Sequence, residues 1–158
     1  MKKFILALLL LLPTAALANT SPQGYWNISP NCFAYSDMVW SDNSPGQALI
    51  TMVHKDGVYY IALTATSAKW TFRQSWINSA TVQFLPSGKI VFAEVHGVPP
   101  NGRGSDPMVI TMVEATPTAV SLLRNSAQIT VNDGTGTMTL PITRVGDALD
   151  GIRECVSQ

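Results

Sequence analysis

Short runs of β-forming residues separated by turn chemistry are the feature that most constrains the fold of this chain. Asp56-Gly57 separates two such runs, and an Asp-Gly pair favours a hairpin because both turn positions accept positive φ. Residues 86–88, Pro-Ser-Gly, separate two more runs in the same way. This spacing predicts an antiparallel β-sandwich or barrel with one or two short helices. The predicted strands are 33–40, 48–54, 58–66, 69–77, 80–85, 89–96, 108–114, 128–131 and 137–142.

The segment Lys69–Ile77 fits two patterns. Trp70, Phe72 and Gln74 alternate as in a strand with one buried face, whereas Trp70, Arg73, Trp76 and Ile77 also form a helical stripe. We predict a strand here and keep the helix as the alternative.

Two helices are predicted in the last third of the chain. Residues 117–124 begin at a Thr-Pro pair, which suits the first turn of a helix. Near the terminus, Asp147 can accept orphan amide hydrogens as an N-cap. Leu149, Ile152 and Val156 then recur at helical spacing and predict a buried stripe.

The first 18 residues have the pattern of a secretory signal peptide. A basic start, Met1-Lys2-Lys3, precedes an apolar run, and Ala16-Leu17-Ala18 is a small-x-small cleavage site. We therefore predict a signal peptide at 1–18, an N-terminal arm at 19–30 and one β-rich domain at 31–158. The apolar run is shorter than the roughly 20 residues of a membrane span, so the mature chain is expected in the periplasm or outside the cell, without a span.

The two cysteines and the balance of charges narrow the class of protein further. Cys32 and Cys155 are the only cysteines, and one pair in an exported protein usually forms a disulfide. Loss of Lys2 and Lys3 leaves eight basic side chains against ten acidic ones. Nothing in this balance neutralises phosphates in bulk, so nucleic acid is a poor candidate partner.

One set of residues could hold a metal ion. His54 and His96, the only histidines, each close a predicted strand, and Glu94 shares a strand face with His96. If the two hairpins were neighbours, the three side chains would form a two-histidine, one-carboxylate site. The alternative is that these three residues are ordinary surface residues that bind no metal. No motif for nucleophilic catalysis or cofactor binding accompanies them. We expect no cofactor.

Two features suggest a binding surface. The loop 97–107 is rich in glycine and proline and bears Arg103 and Asp106, and loops on a rigid β scaffold often carry binding residues. Trp70 and Trp76 could form an aromatic platform, although core packing is the alternative use of such residues.

The final third, Thr116–Cys155, resembles the end of the small exported proteins of the invasion-associated locus B type from proteobacteria. The likeness lies in the order of a short helix, two strands and a terminal helix with Ala148 and Leu149. The family usually has a Gly-Phe pair where this chain has Gly146-Asp147, and a mid-chain cysteine pair that this chain lacks. The resemblance implies a secreted β-sandwich with a host- or envelope-interaction role, and it implies no catalytic residues.

From these observations we predict an exported binding protein that recognises a protein or an envelope component. A small hydrolase, with or without a metal ion, and an inhibitor or immunity-like protein are the alternatives.

Overall fold

The computed structural model describes the backbone of residues 14–20 and all atoms of residues 26–40, 42–101 and 105–157. These residues form one curled sheet, in which every neighbouring pair is antiparallel except β1 with β10, and two helices, as the sequence predicts. The strands are β1 Thr14–Thr20, β2 Asn27–Ile28, β3 Ala34–Trp40, β4 Pro45–Lys55, β5 Val58–Thr66, β6 Trp76–Leu85, β7 Lys89–Val98, β8 Met108–Glu114, β9 Gln128–Asn132 and β10 Thr137–Pro141; the helices are α1 Pro117–Arg124 and α2 Val145–Val156.

The order of the strands is β1-β10-β9-β6-β7-β8-β5-β4-β3-β2. Strand β1, at one end of the row, also pairs with β3, the last strand but one at the other end, so the sheet curls back on itself. The two predicted hairpins, β4–β5 and β6–β7, are confirmed. Asp56 and Gly57 both have positive φ, as a tight turn of this kind requires.

The turn between β9 and β10 is held by one carboxylate. Asp133 accepts hydrogen bonds from the backbone amides of Thr135 and Gly136 and from the Thr135 hydroxyl. Asn78, on the adjacent strand β6, donates to the other oxygen at 2.9 Å. Burial raises the pKa of Asp133, but these donors outweigh burial and hold it below its usual value.

The core lies inside the curl, because alternate residues of each strand point inward. Helices α1 and α2 pack at one end, which we call the helix end. The inward residues that are almost completely buried include Met38, Ile50, Ile61, Val82, Phe84, Val95, Val109, Val113, Ile129, Val131 and Met138.

Helix α1 begins as predicted: Thr116 caps it by accepting from the Ala119 amide, and Pro117 occupies the first turn. Helix α2 differs from the prediction. Arg144, with φ near 60°, is the N-cap residue, and Asp147 lies in the first turn, where it accepts from the Arg144 side chain at 2.7 Å. Its carboxylate still faces the positive end of the helix dipole.

The stripe predicted on α2 is only partly buried. Leu149 and Ile152 are in the core, whereas Val156, in the last turn of the helix, is exposed.

The prediction of a strand at Lys69–Ile77 is wrong. The strand begins only at Trp76, and the preceding residues form an irregular segment. Trp70 packs on Trp40 with ring centroids 5.3 Å apart, and Phe72 contacts Trp76 edge to face. The aromatic rings thus gain burial at the end of the curl opposite the helices, which we call the aromatic end, and this tertiary packing overrides the local alternation.

The predicted disulfide is confirmed. Cys32 and Cys155 are bonded with Cα atoms 5.4 Å apart, and the bond joins the turn before β3 to the last turn of α2. Such bonds form and persist in oxidising compartments.

Much of the predicted N-terminal arm lies outside the described residues, including Tyr25. Trp26 anchors the end of this arm to the domain, because its indole N–H donates to the Thr143 carbonyl at 2.9 Å. Strand β1 crosses the predicted cleavage point after Ala18. No helix in the described ranges has the length and apolar character needed to cross a membrane.

Candidate functional site: an apolar groove at the helix end

An apolar groove of about 490 Å³ lies between the β4–β5 hairpin and the two helices. The hairpin projects beyond the core at this end, so that two residues of its inward face, Met52 and Tyr59, stay exposed. Tyr59 is 59% exposed, a large fraction for an aromatic residue on the inward face of a sheet. The groove is lined by Met52, Tyr59, Ile61, Val120, Arg124, Leu149, Asp150, Ile152, Arg153, Val156 and Ser157.

The rim of the groove carries a small network of charges. Arg124 of α1 donates two hydrogen bonds to Asp150 of α2, at 3.0 and 2.6 Å, and Arg153 lies 3.3 Å from the same carboxylate. The hydrogen bonds from Arg124 lower the pKa of Asp150, and in return they raise the pKa of Arg124. The rim therefore remains charged at neutral pH and fixes the two helices relative to each other.

An apolar floor inside a charged rim is the general anatomy of a protein-binding surface. The floor can bury a large side chain, and the rim supplies donors and acceptors around it. Nothing in the groove resembles a catalytic constellation, since its ionisable groups are paired with one another rather than aimed inward.

The three metal candidates are not brought together. His96 Nε2 lies 3.1 Å from Glu94 Oε2, as expected for two residues on one strand face. The second partner of Glu94 is Lys55, at 3.4 Å, and not His54. The His54 side chain lies on the other face of β4 and packs on Tyr59 with ring centroids 4.6 Å apart. In the described part of the chain no group of three or more His, Cys, Asp or Glu side chains is placed to hold a metal ion.

Hydrogen bonds from His96, and then from Lys55, lower the pKa of Glu94. A carboxylate flanked by two donors in this way is kept ionised at neutral pH, and it serves here to connect β4 with β7 across the sheet surface.

The two tryptophans proposed as a platform have different positions. Trp76 is buried, and its indole covers Gly97 so closely that a Cβ there would clash. Trp70 is half-buried against Trp40 and Phe72. Trp76 therefore belongs to the core, and only Trp70 keeps an accessible edge.

The predicted binding loop is described only in part. Arg103 lies outside the described residues. Asp106 is exposed and borders a shallow depression of about 500 Å³ together with Gln47 and Thr66. The side chain of Ser105 donates to the Asn101 side chain at 2.9 Å and closes the base of the loop.

The apolar groove itself was not predicted. The sequence does carry a sign of it. Met52 and Tyr59 are apolar residues at inward-facing positions near the tip of the hairpin formed by β4, the longest strand, and β5, and Val156 extends the apolar stripe of α2. No match was found when the chain was compared with protein-family models, with curated proteins and with solved structures.

Proposed function

We propose that this is an exported binding protein and that it recognises a protein partner, in the envelope or outside the cell, by inserting apolar side chains of that partner into the groove at the helix end. The observation that supports the proposal is the groove of about 490 Å³. Its floor is nearly uncharged, and its rim carries Arg124, Asp150 and Arg153. Cavities of this size accept one or two large side chains.

The position of the groove supports this assignment. Helix α2 is bonded to α1 by the Arg124–Asp150 pair and to the turn before β3 by the disulfide, and β3 pairs with strand β4 of the hairpin, so the groove is rigid before a partner arrives. Preformed surfaces lose less conformational entropy on binding, and their affinity is correspondingly higher. The disulfide also supports export, because such bonds are rare in reducing compartments.

The experiment is site-specific photocrosslinking from inside the groove. A photoreactive phenylalanine analogue replaces Tyr59, and the protein, with its disulfide intact, is irradiated in its own envelope fraction and in host extract. We expect one crosslinked partner from position 59. The same analogue at Phe92, which is 88% exposed on β7, is the matched control and should not give that product.

A charge substitution then tests whether the groove contributes the affinity. Met52→Glu places a carboxylate on the apolar floor and should weaken binding of the captured partner by more than about tenfold, since an unpaired charge would be desolvated. Phe92→Glu should leave the affinity unchanged. Binding that survives Met52→Glu, or is lost only with Phe92→Glu, would reject the groove as the recognition surface.

A further inference from the structure

The predicted cleavage point falls inside a strand of the folded sheet. Strand β1 covers seven residues, and cleavage after Ala18 would remove residues 14–18 from it. We propose that this removal opens the outer edge of β10, and that the open edge accepts an extended, uncharged segment of a partner polypeptide as an added strand. The proposal depends on the predicted cleavage and is independent of the groove.

Cleavage affects the two neighbours of β1 unequally. All three pairings with β10, namely Thr14 with Thr137, Ala16 with Met138 and Leu17 with Thr139, involve residues that would be lost. Toward β3, the pairing of Ala18 with Trp40 is lost, but Thr20 with Val39 remains and β2 still covers the start of β3. The edge that becomes free is therefore that of β10, together with the adjoining end of β3.

The backbone of β10 shows which groups this edge offers. The amide of Ile142 donates to the carbonyl of Ala127, on the β9 side. Because successive amides of a strand point to opposite sides, the amides of the odd-numbered residues of β10 point away from β9. These are Thr137, Thr139 and Pro141, and proline has no amide hydrogen to donate. The open edge thus presents two donors and ends at Pro141, where the absence of an amide limits further pairing.

Strand β1, which covers the edge of β10 before cleavage, indicates which kind of partner segment would fit there. Residues 14–20 read Thr-Ala-Ala-Leu-Ala-Asn-Thr, with no charge and only one large side chain. They run parallel to β10 and antiparallel to β3, so one extended segment bridges both strands. Addition of a strand to an open sheet edge is a recurrent way of binding peptides, in which main-chain hydrogen bonds supply affinity.

A second copy of this chain is a poorer occupant than a separate segment. Two copies that met edge to edge through β10 would each contribute the outward amides of only Thr137 and Thr139, because Pro141 has none. An extended peptide instead reaches β10 and the end of β3 at once, as β1 does.

The test uses the mature protein purified after export, with its N-terminus determined by mass spectrometry. Amide hydrogen exchange is followed by NMR for Thr137 and Thr139 and compared with Met138 and Leu140. We expect the two threonine amides to exchange at least about tenfold faster in the free protein, because no strand protects them. An acetylated peptide with the sequence of residues 14–20 should then slow their exchange by about tenfold or more.

The control peptide has the same sequence but is N-methylated at the position of Leu17, which blocks strand pairing without changing side chains. It should give no protection. Four outcomes would overturn the proposal: a mature chain that still carries residues 14–18, threonine amides already protected in the dilute free protein, protection that rises with protein concentration, or equal protection by the methylated peptide.

Discussion

Two buried threonines should affect the stability of the protein in opposite ways when their hydroxyl groups are removed. Thr111 of β8 is completely buried, and its hydroxyl has no hydrogen-bond partner among the described residues. Thr139 of β10 is also buried, but its hydroxyl lies 3.3 Å from that of Thr130. The two threonines share the same chemistry and are both buried, Thr111 on the inner face of the sheet and Thr139 on the outer face, and they differ in whether the hydroxyl has a hydrogen-bond partner.

Thr111→Val should stabilise the protein by about 1 kcal/mol, because an unpaired buried hydroxyl is replaced by a methyl group of similar size. Thr139→Val should destabilise it by about 0.5–1 kcal/mol, since one hydrogen bond is lost. Urea unfolding followed by tryptophan fluorescence measures both differences. A destabilised Thr111→Val variant would mean that this hydroxyl has a partner in solution.

A glycine allows one tryptophan to reach its acceptor. The indole of Trp40 crosses strand β4 and donates to the carbonyl of Thr66 at 2.9 Å. It passes directly over Gly46, where a Cβ would clash with both the ring and that carbonyl.

Gly46→Ala should therefore displace the Trp40 ring and destabilise the protein by about 2 kcal/mol or more, the cost of overpacking a buried site and losing a buried hydrogen bond. Gln47→Ala, at the next residue, removes only an exposed side-chain contact and should change stability by less than about 0.5 kcal/mol. Chemical denaturation and near-UV circular dichroism report the two effects, and equal stability of both variants would refute this role of Gly46.

At the scale of elements, the turn between β9 and β10 depends on the charge of Asp133. Because its folded pKa is lower than its unfolded value, ionisation favours folding. That contribution is present above the unfolded pKa, near 3.8, and is lost as the pH falls through the folded pKa.

Asp133→Asn should therefore lower the free energy of unfolding at pH 7. It should also make that free energy fall less between neutral and acidic pH than it does in the wild type. The free energy of unfolding of both proteins, measured across that pH range, should converge below pH 3.8. Glu94→Gln is a useful comparison, because Glu94 also has a lowered pKa but is bonded to exposed partners on the sheet surface. Parallel pH curves for the wild type and Asp133→Asn would contradict the assignment.

At the scale of the whole molecule, one covalent bond connects the two ends of the domain. The cysteines are 123 residues apart, and the chain-entropy argument gives about 5 kcal/mol for closing so long a loop. Reduction should also release the last turn of α2, which carries Val156 and one wall of the groove.

The variant with both Cys32→Ser and Cys155→Ser should lose up to about 5 kcal/mol of stability and should be insensitive to reductant. The wild type should approach the same stability when reductant is added. Denaturation with and without reductant measures this, and a reduced wild type as stable as the oxidised protein would show that the bond contributes little.

How far the sequence predicts this protein depends on the range of the interactions involved. The hairpin turn at Asp56-Gly57, the capped start of α1 and the strands with clear alternation were predicted, because each is set by residues within a few positions. The disulfide was predicted because only one pairing of two cysteines exists. A mainly β domain closed by a C-terminal helix followed from these local signals.

Tertiary structure alone decided the rest. The alternation in Lys69–Ile77 was overridden by the packing of Trp70 on Trp40, a ring thirty residues earlier in the chain, and by the edge-to-face contact of Phe72 with Trp76. His54 was separated from Glu94 and His96 because strand phase and curl set which face each side chain occupies. The groove exists only where a long hairpin passes two helices, and the neighbours of β10 depend on strand order. Such features arise from long-range packing, which local periodicity does not encode.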